Sequence, residues 1–238
     1  MKLDHPLIRY HGGKFRLASW IISYFPSHET YVEPFGGGAS VLLSKSPSRM
    51  EVYNDLDQDI VNFFEVLRDQ TLAEKLAFQV ELTPYSRSEF LNARAETNDR
   101  IEQARRLVVR AQMGFGSAGA TKGNTGFRLD TARGGSDIVT IWQRQPEVIR
   151  QAAARLKKVL IENRDAIKVI QDHDREDTLF FIDPPYVLDT RNMGGKAYRH
   201  EMTDAQHEEL LTLLIGSKAK VILCGYPHPI YDDALSSW

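Results

Sequence analysis

Thr178-Leu-Phe-Phe-Ile182, followed at once by Asp183-Pro-Pro-Tyr186, is the stretch on which the reading of this chain turns. A short, continuous apolar run bounded by turn residues is the pattern of a strand buried on both faces, as in a parallel sheet. Its end is chemically loaded. Asp183 can accept a hydrogen bond from an exocyclic NH2 group, and the Pro184 carbonyl can accept a second, because proline offers an acceptor and no donor. Pro185 stiffens the corner, and Tyr186 is placed to stack on the ring that carries the amine. Open α/β sheets bind ligands at the carboxyl ends of their strands, so the location suits the chemistry. The plainer alternative is a strand that ends in a proline turn.

Working outward, the first third alternates helix and strand. Lys14 to Phe25 sets Leu17, Trp20, Ile21, Tyr24 and Phe25 at helical spacing, which predicts an apolar helical face. Thr30–Glu33 reads as a strand, Pro34-Phe-Gly-Gly-Gly38 as the turn into a helix through Leu43, and Met50–Tyr53 as the next strand. Asp57 to Arg68 predicts a helix with Ile60, Val61, Phe64 and Leu67 on one face. After Lys158 the rhythm resumes with a strand at Val159–Glu162, a helix, the strand ending in Asp183, a helix over Thr203–Ile215 and a strand at Lys220–Cys224. This order predicts an α/β fold with a parallel, doubly wound, Rossmann-like sheet.

Between the two parts the character changes. Thr71–Glu81, Ser86–Ala95 and Arg100–Gln112 read as helices without strands between them, and a glycine-rich tract runs from Met113 to Ser136. The parse is a domain of residues 1–68 and 155–238, interrupted by a mainly helical insertion of residues 69–154. Net charge is −2 over 238 residues, but from Arg105 to Lys158 eleven basic residues face only Asp130, Asp137 and Glu147, leaving +8 there and −10 elsewhere. Such asymmetry points to a basic face for phosphates on an acidic body; the alternative is a solvated helix side. The 42% hydrophobic content supports a substantial core. A single cysteine, Cys224, within an apolar run, excludes an internal disulfide and fits a reducing compartment. No run approaches a membrane span and no signal segment is visible at the start, so a cytoplasmic protein is expected.

Acidic and glycine-rich chemistry gathers at three strand ends. Glycines at 36–38 let backbone approach a ligand closely. Asp55 follows the second strand, where an acid accepts from ribose hydroxyls in Rossmann-like sheets, and Asp165 follows the third. No phosphate-binding G-x-x-x-x-G-K-[ST] run is present. An acid-lined mouth suits a cationic cofactor such as S-adenosylmethionine, with Lys14 available to its carboxylate or to a phosphate.

Tyr10-His-Gly-Gly-Lys14, Glu33-Pro-Phe-Gly-Gly-Gly-Ala-Ser40, Tyr53-Asn-Asp55 and Asp183-Pro-Pro-Tyr186 resemble, in that order, the motifs of Dam-like (D12 class, α-type order) adenine-specific DNA N6-methyltransferases. The resemblance covers most of residues 6–68 and 155–235. It implies transfer of a methyl group from S-adenosylmethionine to a flipped-out adenine, leaving S-adenosylhomocysteine. It further implies that Asp183, Pro184, Pro185 and Tyr186 form the catalytic corner, and that Tyr10, Lys14, Phe35, Gly36, Gly38, Asp55, Asp165 and Asp183 hold the cofactor. The insertion would then be the target-recognition region on double-stranded DNA, with Arg110, Lys122, Arg128, Arg133 and Arg144 toward phosphates or guanine edges. Phe115, Phe127 and Trp142 there either wedge into the base stack or pack the insertion, and packing is favoured. No Cys/His ligand cluster is present and no metal is required. A companion restriction endonuclease is a partner that the resemblance allows. The family's sheet ends in an antiparallel hairpin, for which Tyr226 to Trp238 are too few residues. Two rivals remain: a methyltransferase for an RNA or protein amine, and a catalytically idle DNA-binding relative.

Overall fold

The computed structural model describes residues 3, 5–121, 125–129, 137–191, 197–236 and 238. Five strands, β1 (Thr30–Glu33), β2 (Met50–Asn54), β3 (Val159–Glu162), β4 (Thr178–Ile182) and β5 (Lys220–Leu223), form one parallel sheet in the order β3-β2-β1-β4-β5. The strands on either side of β1 are reached in opposite directions, so the topological switch lies between β1 and β4. There, in a sheet of this kind, connecting segments part and leave a crevice at the carboxyl ends. Thr30 pairs with Thr178 and Val32 with Phe180, a register that brings Glu33 and Asp183 to the same end of neighbouring strands.

Alternation along the strands sorts their side chains into two cores. Tyr31, Tyr53, Leu179 and Phe181 point to one face, and Val32, Val52, Phe180 and Ile182 to the other. The second face is covered by α8 (Ala166–His173) and α9 (Asp204–Ile215) through Val169, Ile170, Leu210 and Leu214. The first is covered by α1 (Ala18–Ile22), α2 (Ser40–Ser44), α3 (Gln58–Arg68), α4 (Gln70–Leu82), α6 (Arg100–Met113) and α7 (Ile138–Leu156). The remaining helices are α5 (Arg87–Asn92) and α10 (Pro229–Ala234), the latter against α9. Asp57, Asp69, Asp99, Asp137 and Asp165 cap the helices that follow them, each accepting from a backbone N–H of the first turn. Among the described residues no helix is long and apolar enough to cross a membrane.

Three sequence expectations need correction. The helix expected over Lys14–Phe25 shrinks to α1, of which only Ala18 and Ile21 are buried, while Leu17, Trp20 and Tyr24 are exposed. The spacing is helical, but five residues of helix present only one narrow strip to the core. The 19-residue α7 has no counterpart among the expected helices, and it carries Pro146 in its interior. It packs along α4 and against α3, so the helices of the insertion continue the core that covers the sheet. The basic face is also much reduced. Arg105 and Arg106 pair with Glu102, Arg110 with Asp59, Arg150 with Glu74 and Glu81, and Arg155 with buried Glu51. Much of the segment's positive charge therefore neutralises the acidic body it packs against.

Candidate active site

The crevice at the switch is built from the turn that follows β1. Gly36 N–H donates to the Asn54 carbonyl (2.8 Å), Gly37 N–H to Asp55 Oδ2 (2.8 Å), and the Tyr53 hydroxyl to the Gly37 carbonyl (2.8 Å). Residues at the end of β2 thus hold the β1 turn flat against the sheet. This closeness dictates glycine. A Cβ on Gly36 would lie 2.2 Å from the Tyr53 ring, and Gly37 has a φ of +47°, a conformation that side chains disfavour. Asn54 is buried and joins three strand ends, donating to the Pro34 and Arg164 carbonyls and accepting from Arg164 N–H.

Asp183 enters from the other side of the switch. Its two carboxylate oxygens accept from Lys14 Nζ at 2.7 and 2.6 Å, and Oδ1 also accepts from the Tyr186 hydroxyl at 3.2 Å. The third Lys14 N–H has the Gly12 carbonyl at 2.8 Å. The lysine that the sequence offered to a cofactor carboxylate or a phosphate is therefore committed to Asp183. Burial pushes the Asp183 carboxyl up, and Lys14 opposes that most strongly. An ionised carboxylate has about four lone-pair positions, so these contacts leave about one free for an incoming N–H. Pro184 is buried behind Asp183, Pro185 lines the crevice, and the Tyr186 ring meets Tyr226 edge-on at 5.0 Å.

Tyr10, Lys14, Phe35, Gly36, Gly38, Asp55, Asp165 and Asp183 all line one cleft. Asp165 does so while capping α8, accepting from Ile167 and Lys168 N–H. Asp55 uses one oxygen for Gly37 and the other for Asp57 N–H. The cleft is strongly acidic. Seven carboxylates (Glu33, Asp55, Asp57, Asp165, Asp183, Glu201 and Glu209) face Lys14, Arg164 and Arg199. Burial pushes Glu33 up to about 7 and Asp55 to about 6, although each accepts backbone N–H bonds that oppose the shift. Such a cavity attracts cations and rejects a polyphosphate.

One wall escaped sequence reading. Residues 197–202 cross the cleft, and a Cβ on Gly12 would lie 2.4 Å from the Tyr198 hydroxyl. Glu201 organises this segment by accepting from Arg191 (3.0 and 2.8 Å), Ala197 N–H and Tyr198 N–H. Arg191 in turn donates to the Tyr186 carbonyl, and its guanidinium lies 5.4 Å from the Tyr198 ring. Arg199 reaches Asp57 of the cleft wall (2.8 Å) and Asp59 beyond it (2.6 Å). Only the Arg199 pairs join residues far apart in the chain, and no periodic pattern marks any of these links.

The residues expected to meet DNA are scattered. Arg110 is half-buried and donates to the Ala93 carbonyl (2.8 Å). Arg128 is half-buried beside Tyr85, whose hydroxyl donates to its carbonyl, and Arg144 is exposed on α7. Lys122 and Arg133 lie outside the described residues. Trp142 is buried and donates to the Thr83 carbonyl, and Phe127 packs against Tyr85 and Phe90, so both serve packing. Phe115 is exposed.

A family model described as D12 class N6 adenine-specific DNA methyltransferase matches residues 10–223. A DNA N-6-adenine-methyltransferase of Escherichia phage P1 is 23% identical over 98% of this chain and 32% of its own length. A DNA adenine methylase of Haemophilus influenzae is 35% identical over 28% of the chain and 24% of its own length. One of Escherichia coli K12 is 31% identical over 30% of the chain and 25% of its own length. The chain spans about a third of the length of the phage relative.

Proposed function

This chain belongs to the D12 class of N6 adenine-specific DNA methyltransferases, and on that premise we propose that it methylates N6 of adenine in double-stranded DNA, using S-adenosylmethionine. The observation that carries the reading is the shared cleft: the glycine turn after β1 and the Asp183 carboxylate after β4 line one cavity across the topological switch. The donor set fits the cofactor. Its ammonium and sulfonium suit the carboxylate-rich wall, its ribose hydroxyls suit Asp55, and its adenine suits the Phe35, Asp165 and Ile167 side. When bound, S-adenosylmethionine supplies a methyl group activated by a positively charged sulfur.

The protein's share is to make a poor nucleophile attack. The lone pair of N6 is delocalised into the purine ring. Asp183, whose upward shift by burial Lys14 opposes, accepts one N6–H in its remaining lone-pair position, and the Pro184 carbonyl is the candidate for the other. Both bonds draw the nitrogen toward a tetrahedral shape and return the lone pair to it, which is positioning and electrostatic stabilisation without a covalent enzyme intermediate. N6 would bond to the methyl carbon as that carbon's bond to sulfur breaks, the electron pair staying on the sulfur of the departing S-adenosylhomocysteine, and N6 would then shed its extra proton toward the Asp183 carboxylate. The base must leave the duplex first, with the Tyr186 ring, edge-on to Tyr226, as the surface for it to stack on. Action on cytoplasmic DNA agrees with a lone cysteine, Cys224, whose thiol burial pushes up to about 12 and so out of reactive range.

The test is incubation with methyl-labelled cofactor and duplex DNA, RNA or protein, followed by digestion and identification of the labelled product. The expected product is N6-methyladenine from DNA, with Asp183→Ala slower by about 10²–10³-fold. Label confined to RNA or protein, or an undiminished rate for a folded Asp183→Ala, overturns the reading.

A further inference from the structure

Beside the acidic cleft lies a second cavity, lined mainly by arginine, and Arg199 lines both. Four guanidinium groups, those of Arg94, Arg106, Arg110 and Arg199, line it against two carboxylates, those of Asp59 and Glu96. Three of the four are held by backbone carbonyls. Arg94 donates to Thr125 O (2.7 Å), Arg106 to Ala95 O (2.7 Å) and Arg110 to Ala93 O (2.8 Å). A carbonyl fixes the plane of a guanidinium without cancelling its charge, whereas Arg106 is also paired with Glu102, Arg110 with Asp59, and Arg199 with Asp57 and Asp59. Arg94 is exposed and has no carboxylate partner among the described residues.

We propose that this cavity seats backbone phosphates of the DNA strand next to the target base. The inference rests on DNA being the substrate, as argued above, and says where the strand runs. Pre-oriented guanidinium groups match phosphate oxygens in pairs, and arginine is the residue that does this best. The position is right as well. Arg199 is anchored to Asp57 and Asp59, so the wall between the two cavities is one fixed side chain. A strand laid over that wall keeps its phosphates on the arginine-lined side, beside Arg94, while a single nucleotide enters the acidic side. Of the expected DNA-contacting residues that are described, Arg110 lines this cavity and Arg128 and Arg144 do not; Arg106, counted in the sequence only as part of the basic segment, and Arg94, which lies outside that segment, line it too.

The experiment compares wild type, Arg94→Gln and Arg94→Lys for duplex affinity as a function of salt, with thermal unfolding as a check on folding. Arg94→Gln should weaken binding about three- to tenfold near 0.1 M salt and lower the salt slope by about one, while Arg94→Lys keeps the slope. In wild type, duplexes with single phosphates neutralised as methylphosphonates should show one or two positions that weaken binding, and Arg94→Gln should be indifferent to at least one of them. Inorganic phosphate should compete no better than chloride at equal ionic strength. An unchanged slope in Arg94→Gln, or no phosphate whose effect depends on Arg94, overturns the proposal, as does tight Arg94-dependent binding of inorganic phosphate. Failure of the wider reading looks different, because wild type would then leave DNA unmethylated.

Discussion

Lys14 Nζ lies 2.7 and 2.6 Å from the two carboxylate oxygens of Asp183, 169 positions away in the chain, and so closes the cleft between the N-terminal segment and β4. Burial raises the Asp183 carboxyl, and Lys14 is the strongest opposing influence. Lys14→Met removes that influence, so the carboxyl rises further. Methylation that needs the ionised form then loses more rate at about pH 6 than at about pH 8, and the acid limb of the pH–rate profile moves to higher pH. Leaving a carboxylate unpaired in a mostly buried site also destabilises the fold, by on the order of 3 kcal/mol at neutral pH. That deficit should shrink on acidification, because protonation removes the unpaired charge. Urea denaturation at several pH values measures it.

Glu33 offers the opposite case, a buried acid with no ion pair among the described residues, on which Lys45 acts only through its charge at a distance. Its Oε1 accepts from the Tyr31 hydroxyl and Leu42 N–H, both at 2.7 Å, and burial still lifts it to about 7. The folded value exceeds the unfolded one, so the folded state binds the extra proton. Stability therefore falls as pH rises from about 4.5 to about 7 and stays lowered above that. Glu33→Gln keeps an acceptor for both donors and removes the titration. The variant should match wild type near pH 5 and be more stable by up to roughly 3 kcal/mol near pH 8. Thermal unfolding across that range decides it, and a constant difference would show that Glu33 does not titrate.

Gly36 and Gly37 fail for different reasons when replaced by alanine. At Gly36 the new methyl meets the Tyr53 ring at 2.2 Å, and Tyr53 is buried against Phe64, so neither side can yield. At Gly37 the difficulty combines a φ of +47° with a 2.8 Å approach to Tyr10, a ring only partly buried at the cleft wall. Overpacking against a fixed ring costs about 1–3 kcal/mol or more, and a left-handed alanine about 1 kcal/mol. Gly36→Ala should thus lose more stability than Gly37→Ala, and calorimetric titration should show cofactor binding weakened in both. Equal losses would mean that Tyr53 moves.

The sheet was legible because parallel strands buried on both faces read as apolar runs, and the runs of β1, β2 and β4 each lead into a polar residue at the cleft, namely Glu33, Asn54 and Asp183. The cleft followed from the sheet, since the glycine turn, Asp55, Asp165 and Asp183 all sit at a strand end or in the segment just after it. Two parts stayed hidden for physical reasons. The helix α7 contains Pro146 and follows a glycine tract, both of which argue against helix locally; packing along α4 overrides them. The Arg191, Tyr198 and Glu201 cluster has no period and gains its form from the Arg191–Glu201 ion pair, which composition cannot show. Charge counting misled as well, because arginines paired across helices count as basic in the sequence and as neutral in the fold.

That cluster makes the last prediction. Glu201 accepts four hydrogen bonds, two from Arg191 and one each from Ala197 and Tyr198 N–H, and Arg191 passes the restraint to the Tyr186 carbonyl. Burial pushes the Glu201 carboxyl up, but the bonds and charge of Arg191 together with the Tyr198 and Ala197 N–H bonds outweigh it and hold the carboxyl below the usual 4.5. A depressed acid contributes stability that is present above the unfolded value and is lost as pH falls through the folded one, so the segment should loosen only in acid, below the usual 4.5. Glu201→Gln tests this at neutral pH, since its NH2 group would face donors where an acceptor is needed. The expected result is faster tryptic cleavage after Arg199 in the folded protein, with methylation kcat lowered about tenfold or more through the freed Tyr186. The KM for S-adenosylmethionine should change less, because Asp55 and the glycine turn are braced from β2. A kcat equal to wild type with faster cleavage would confine Glu201 to holding the segment, without influence on Tyr186.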